Sequence, residues 1–146
     1  MNGVDNTASE AFTRASRLTH EAEFRRVFAR PRVSQDRYFR VLGRQNDLAW
    51  SRVGLAVSVK VCKRATGRNR IKRLVRESFR KHHATPGRTP AGTSAYMAGI
   101  DMVVLPRPDA ATMCNKTLYD ALVGHWKQQQ KLAGDSQAQA KTREKN

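Results

Sequence analysis

KVCKRATGRNRIKRLVRESFRK, residues 60–81, is the most densely charged segment of this 146-residue chain and also a highly regular one. Ten of its side chains are Lys or Arg against a single acid, Glu77, so it carries +9 of the chain's net +16. From Arg68 onward Ile71, Leu74, Val75, Ser78 and Phe79 recur at i, i+3, i+4, i+7 and i+8. That is one stripe of an α-helix, and it predicts packing on a core. Lys72, Arg76, Asn69, Arg80 and Arg73 fall between about 40° and about 140° from Arg68 on the same wheel, which gathers six long polar side chains on one face. Glu77, Arg70 and Lys81 fall on the remaining flank, so this reading keeps the acid off the basic face. Gly67 permits a tight approach turn, and Asn69, in the first turn, is a candidate cap or phosphate ligand. A merely solvated helix interleaves Glu with Lys at i,i+4, which is nearly absent here. Charge of one sign this dense repels itself, and a polyanionic partner is its simplest explanation.

The flanks of this helix predict a mixed α/β chain. Arg52–Val59 (RVGLAVSV) alternates, with Val53, Leu55, Val57 and Val59 on one side, and reads as a strand. Arg37–Gly43 (RYFRVLG) reads as another, QNDLAWS as the loop between them, and a strand near Val33 is weakly signalled. Thr19 is placed to cap a short helix through about Ala29, with Glu21 and Glu23 near its start and Phe24, Val27 and Phe28 on one face, ended by Pro31. Beyond the basic helix, Thr85–Gly99 is rich in Pro, Gly, Thr and Ser. Ile100–Leu105 then reads as a buried strand stopped by Pro106 and Pro108. A last helix near Lys116–Ala133 puts Leu118, Leu122, His125, Trp126 and Gln129 on one side. The order is α-β-β-(β)-α-β-α.

Charge and composition bound the function. Residues 1–14 and 134–146 are polar and lack apolar periodicity, which predicts two flexible ends around one folded domain, residues 15–133. The ends carry −1 and +1, so the full +16 sits in that domain. With no 18-residue apolar run and no secretory signal, a cytoplasmic protein without a membrane partner is expected. Cys62 and Cys114 are too few for a zinc site and read as ordinary thiols. A protein nuclease needs a general acid and base held together. His82 and His83 diverge by about 100° on a helix, and His20 and His125 lie far away in sequence, so solvated or RNA-contacting histidines are expected and no catalytic residue is assigned. A helix-turn-helix DNA binder is disfavoured, because a strand precedes the basic helix and a long loop follows it. A structural ribosomal RNA-binding protein shares the basicity, size and location, and stands as the alternative.

Ala65-Thr66-Gly67-Arg68-Asn69-Arg70-Ile71-Lys72-Arg73-Leu74-Val75-Arg76-Glu77 resembles the "RNR" motif of the bacterial ribonuclease P protein component, whose Arg-Asn pair, Lys-Arg pair and final Arg stand at this spacing. More loosely, Arg17-Leu18 with Glu23-Phe24 and Val27-Phe28 is similar to that family's opening helix. Arg52-Val53-Gly54-Leu55-Ala56-Val57-Ser58 and Asp101-Met102-Val103-Val104 are similar to its strands on either side of the motif. Val59 departs from the family, which often has a second Lys beside the one matched by Lys60, and the Thr85–Gly99 connection is longer than usual.

The resemblance implies a two-layer α/β sandwich of ribosomal-protein type with a left-handed βαβ crossover, against the general rule for such units. It implies a noncatalytic subunit of a ribonucleoprotein endoribonuclease, in which a catalytic RNA with its own Mg²⁺ removes the 5′ leader of precursor tRNA and the protein binds no cofactor itself. By the same resemblance Arg68, Asn69, Lys72, Arg73, Arg76 and Arg80 face the catalytic RNA together with Lys60 and Arg64, which also flank the leader cleft, and Phe24 and Phe28 line that cleft. Tyr38 and Phe39 are neighbours on a strand and point to opposite faces, so one of them joins the cleft; Tyr38 is the candidate carried forward. The residue chemistry agrees: Arg grips phosphate oxygens with a planar fork, and aromatic rings beside a basic groove hold unpaired bases whatever their sequence.

Overall fold

The computed structural model describes residues 16–46, 48, 50–83 and 99–144, with 134–144 as backbone alone. Its elements are α1 (Glu21–Ala29), β1 (Arg32–Gln35), β2 (Phe39–Gln45), β3 (Arg52–Leu55), α2 (Ala65–His82), β4 (Ile100–Pro106), a 3-10 turn (Pro108–Thr112) and α3 (Asn115–Glu144). The four strands form one sheet in the order β1-β2-β4-β3. β1 with β2 and β2 with β4 are antiparallel, while β3 runs parallel to β4, so α2 is the crossover between two adjacent parallel strands.

Alternation along β4 divides the interior in two. Ile100, Met102 and Val104 join the main core with Ile71, Val75 and Phe79 of α2 and Leu118, Leu122 and Trp126 of α3. Val103, on the opposite face, joins a smaller cluster with Leu18, Val27 and Leu42, and Phe24 and Leu105 pack at its margin. The two long helices therefore cover one face of the sheet, and α1 covers part of the other. Ser78 falls in the apolar stripe of α2 because it is a link: its hydroxyl donates to the Val75 carbonyl and accepts the Trp126 indole N–H, each at 3.0 Å. Gln129 of α3 donates to the carbonyls of Arg32 (2.9 Å) and Val41 (3.1 Å), holding β1 and β2 to the helix.

Several boundaries differ from the sequence reading for local reasons. Asp36 accepts the backbone N–H groups of Tyr38 and Phe39, both at 2.8 Å, so residues 36–38 turn and β2 starts at Phe39 rather than Arg37. That turn makes β1, the weakly signalled strand, a paired edge. β3 ends at Leu55; after one further bond from Ala56 N–H to Val104 the chain turns at Ser58, and Val59 is exposed instead of continuing the alternation. Glu23, not Thr19, closes the start of α1, accepting the N–H groups of Thr19 (3.0 Å) and His20 (2.8 Å). α2 begins three residues earlier than expected, which puts Asn69 in its second turn and removes it as a cap. α3 continues to Glu144, through residues expected to form an irregular tail. The 84–98 connection and residues 1–15 lie outside the described residues.

Candidate nucleic-acid interface

The basic helix sorts its cations into two kinds. Lys60, Arg64, Asn69 and Arg73 are exposed and Lys72 is half-exposed; none of their side chains has an ion pair or hydrogen bond among the described residues. Arg68 is turned inward: its Nη1 donates to the carbonyls of Cys62 and Lys63, both at 2.9 Å. It ties the approach loop to the helix. Gly67 serves the same closure, since a Cβ there would stand 2.4 Å from the Cys62 sulfur. Arg70 donates to Met113 O (3.1 Å), Ala111 O (3.2 Å) and Asn115 Oδ1 (2.6 Å), joining the 3-10 turn and the start of α3 to α2. Of the Arg-Asn-Arg triplet, only Asn69 is left to face outward.

Glu77 overturns the expectation that the acid stands apart. Its carboxylate pairs with Arg80 at 2.7 Å and reaches Lys81 at 3.6 Å; the hydrogen bond from Arg80 holds it below the ordinary carboxylate range. Charge at the C-terminal end of α2 is thus partly offset, and the uncompensated cations run from Lys60 to Arg76. Arg76 is pulled below the ordinary guanidinium range, first by burial and then by the neighbouring charge of Arg17. The sequence reading missed Arg17 as part of this face. Its place follows from a bridge to Val53 at the outer edge of β3, which local periodicity does not reveal. Beside this face a groove of about 410 Å³ is lined by Thr66, Asn69, Arg70, Arg73, Leu74, Glu77 and Asn115.

A second surface lies on the α1 side of the sheet. Register sets Arg40 beside Gln35 and Leu105, and Leu42 beside Val33 and Val103. Val27 seals Leu42 and Val103, while Val33, Gln35 and Arg40 remain exposed and Leu105 half-exposed. Phe28, 48 % exposed, lies one turn beyond Phe24 on α1, the helix on this side of the sheet. The other rings assigned to a cleft sit differently. Phe24 packs into the small cluster, Tyr38 packs at the margin of the main core, and Phe39 is wholly within that core. Val33, Arg40 and Leu105 were not singled out from sequence, because their convergence depends on strand register.

The histidines do not form a catalytic pair. His83, expected in solvent or against RNA, is buried: its ring stacks on Phe79 at 4.9 Å and meets Trp126 edge-on at 5.3 Å, and burial pushes its pKa down to about 3. His82 turns its Nδ1 to the Ser78 carbonyl at 2.9 Å. His125 lies between Ser34 and Asp36, bracing the β1–β2 turn to α3. Among the described residues no group of three or more His, Cys, Asp or Glu is placed to hold a metal ion, and no helix is long and apolar enough to cross a membrane.

This architecture has close parallels. The family model for ribonuclease P matches residues 12–130. The ribonuclease P protein component of Pectobacterium atrosepticum is 40% identical over 126 residues, covering 86% of this chain and 96% of that one; its counterpart from Methylococcus capsulatus is 44% identical over 115 residues, covering 79% and 81%. Among solved structures, the RNase P protein of Thermotoga maritima superposes with a TM-score of 0.60 at 33% identity, covering 77% of this chain and 96% of that one. That of Staphylococcus aureus gives 0.61 at 27% identity, covering 75% and 90%. With the family model spanning residues 12–130 and relatives at 40–44% identity over most of their length, the chain belongs to the ribonuclease P protein component family.

Proposed function

We propose that this chain, as the protein subunit of ribonuclease P, presents its two surfaces to two RNAs. The Lys60–Arg76 face docks on phosphates of the catalytic RNA, with Arg17 extending it. The open half of the sheet, with Phe28 above it and Arg40 within it, holds the single-stranded 5′ leader of precursor tRNA by stacking and charge. Cleavage belongs to the RNA, where bound Mg²⁺ supplies the activated water. The protein contributes placement of the leader and positive charge where phosphates crowd. The cytoplasm, where precursor tRNA is made, is the compartment that suits this role.

The observation that carries the reading is the separation of outward cations from braced ones on α2: from Lys60 to Arg73 the outward side chains have no acid partner among the described residues, Glu77 being drawn to Arg80 and Lys81, and such a face suits phosphate. Titrating Mg²⁺ for cleavage of precursor tRNA by the catalytic RNA is expected to show a lower requirement when the protein is present. RNA-free protein is expected to leave the precursor intact. Site-specific cleavage by RNA-free protein would overturn the assignment of chemistry to the RNA, and co-sedimentation of the tagged chain with ribosomal subunits would favour a structural ribosomal protein instead.

A further inference from the structure

α1 is only nine residues long. A helix of that length is marginal by itself, so its height and angle over the sheet are set by what it touches. Arg26 and Val27 hold it to β2 and β4, through the Gln45 and Arg44 contacts and through Leu42 and Val103, and two positions of β3 on the α1 face hold its first turn. Arg52 grips Asp101 with its fork, Nε to Oδ1 at 2.8 Å and Nη2 to Oδ2 at 2.6 Å, and its remaining Nη1 pairs with Glu23. Glu23 is the residue whose other oxygen closes the start of α1. Asp101 is fixed in turn by Asn46 at 2.7 Å. At the next residue of α1, the Phe24 ring lies directly on the backbone of Gly54, where an added Cβ would stand 2.5 Å and 2.6 Å from two ring carbons. Phe28 is one further turn along the same helix, on the side that leaves the cluster.

We propose that Arg52 and Gly54 are positioning residues that seat α1 on β3 and thereby set the gap between Phe28 and the open sheet face. This rests on the reading of that gap as the leader site. Arg52 supplies direction, because a bidentate guanidinium fixes an angle that a lysine ammonium cannot. Gly54 supplies height, because any side chain lifts the Phe24 ring and carries the next turn with it. Neither residue touches the leader.

The test uses the reconstituted holoenzyme and measures affinity for leader-bearing precursor tRNA and for mature tRNA, at a temperature where every variant is folded. Gly54→Ala and Arg52→Lys are each expected to lower the precursor-to-mature affinity ratio by about tenfold, the loss of roughly one stacked base, with unchanged affinity for the catalytic RNA. Leu118→Ala, a cavity in the main core remote from α1, controls for general softening and is expected to leave the ratio alone. Phe28→Ala reports on the leader site itself. A lowered ratio in Phe28→Ala with an unaltered one in both β3 variants would overturn the seat while keeping the leader site. An equal fall in Leu118→Ala would also overturn it. No fall in Phe28→Ala would instead remove the leader site on which the seat depends.

Discussion

Arginine is abundant on both α2 and the α1 side of the sheet, yet the two regions use it differently. Around α1 four guanidinium groups brace the fold, Arg25 with Glu21, Arg26 with the Gln45 carbonyl, Arg44 with the Arg26 carbonyl, and Arg52 with Asp101 and Glu23, while Arg30 and Arg40 are exposed. On α2 and its approach loop only Arg68, Arg70 and Arg80 are tied in this way, and the cations between them point outward. A tied guanidinium shapes a surface; an untied one adds charge to it. The first region is therefore built for shape and suits unpaired bases, and the second for charge and suits phosphate.

The largest expected effect tests the charged region. Reversing Arg64, Lys72 and Arg73 to Glu should weaken binding to the catalytic RNA on the order of a hundredfold or more at low salt, and should flatten log affinity against log salt by about 0.7–0.9 for each phosphate no longer neutralised. Circular dichroism and melting temperature should change little, since these side chains support nothing in the fold. An unaltered salt slope would break the comparison. Arg68 is left out because its replacement also releases the approach loop.

Within the same helix, Arg70→Ala should do the reverse. Removing a guanidinium that satisfies several carbonyls around the 3-10 turn should destabilise the protein by about 2 kcal/mol, read as a fall of several degrees in Tm, while the salt slope of RNA binding stays put. A drop in slope equal to that of Arg73→Ala would mean that Arg70 reaches phosphate after all.

Phe28 and Phe24 sharpen the contrast on the other side. Phe28→Leu should weaken binding of leader-bearing substrate by about 1–3 kcal/mol with little loss of stability, because the ring is half out of the fold. Phe24→Leu should lower Tm, because its ring fills the space over Gly54. The two measurements, leader-dependent affinity and Tm, should move in opposite patterns for the two variants. Parallel behaviour would make both rings core.

What sequence revealed and what it concealed follow the same division. Helical periodicity located α2 and α3, and a short apolar run before Pro106 located the buried strand Ile100–Leu105, because both signals are local in sequence. The outward basic face was legible for that reason at Lys72 and Arg73. The inward turn of Arg68 and Arg70 was not, since a long side chain on a helix flank can point to solvent or fold back onto carbonyls brought in by residues 62–63 and 111–115. The open sheet face was concealed more fully. Val33, Arg40 and Leu105 meet only through the β1-β2-β4 register, and β1 itself is too short to announce its pairing without the Asp36 turn.

The smallest expected effect lies at the C-terminal end of α2, where the helix leaves the basic face and enters the core. His83 is neutral in the folded protein because burial lowers its pKa from 6.5 to about 3, whereas in the unfolded chain it titrates normally. The unfolded state therefore binds a proton first as pH falls. The stability this group contributes is complete above about pH 6.5 and declines from there until the folded pKa is reached, amounting to a loss of about 1 kcal/mol at pH 6. His83→Leu keeps an apolar group against Phe79 and Trp126 and removes the proton site. Denaturant unfolding at pH 7.5 and pH 6 should show the wild-type midpoint falling between the two and the variant's changing less, by that margin. RNA affinity at pH 7.5 should be the same for both proteins. Equal pH dependence would place the acid sensitivity in the carboxylates around Arg52 rather than in the core end of α2, and altered RNA affinity would extend the charged face beyond the Glu77 pair.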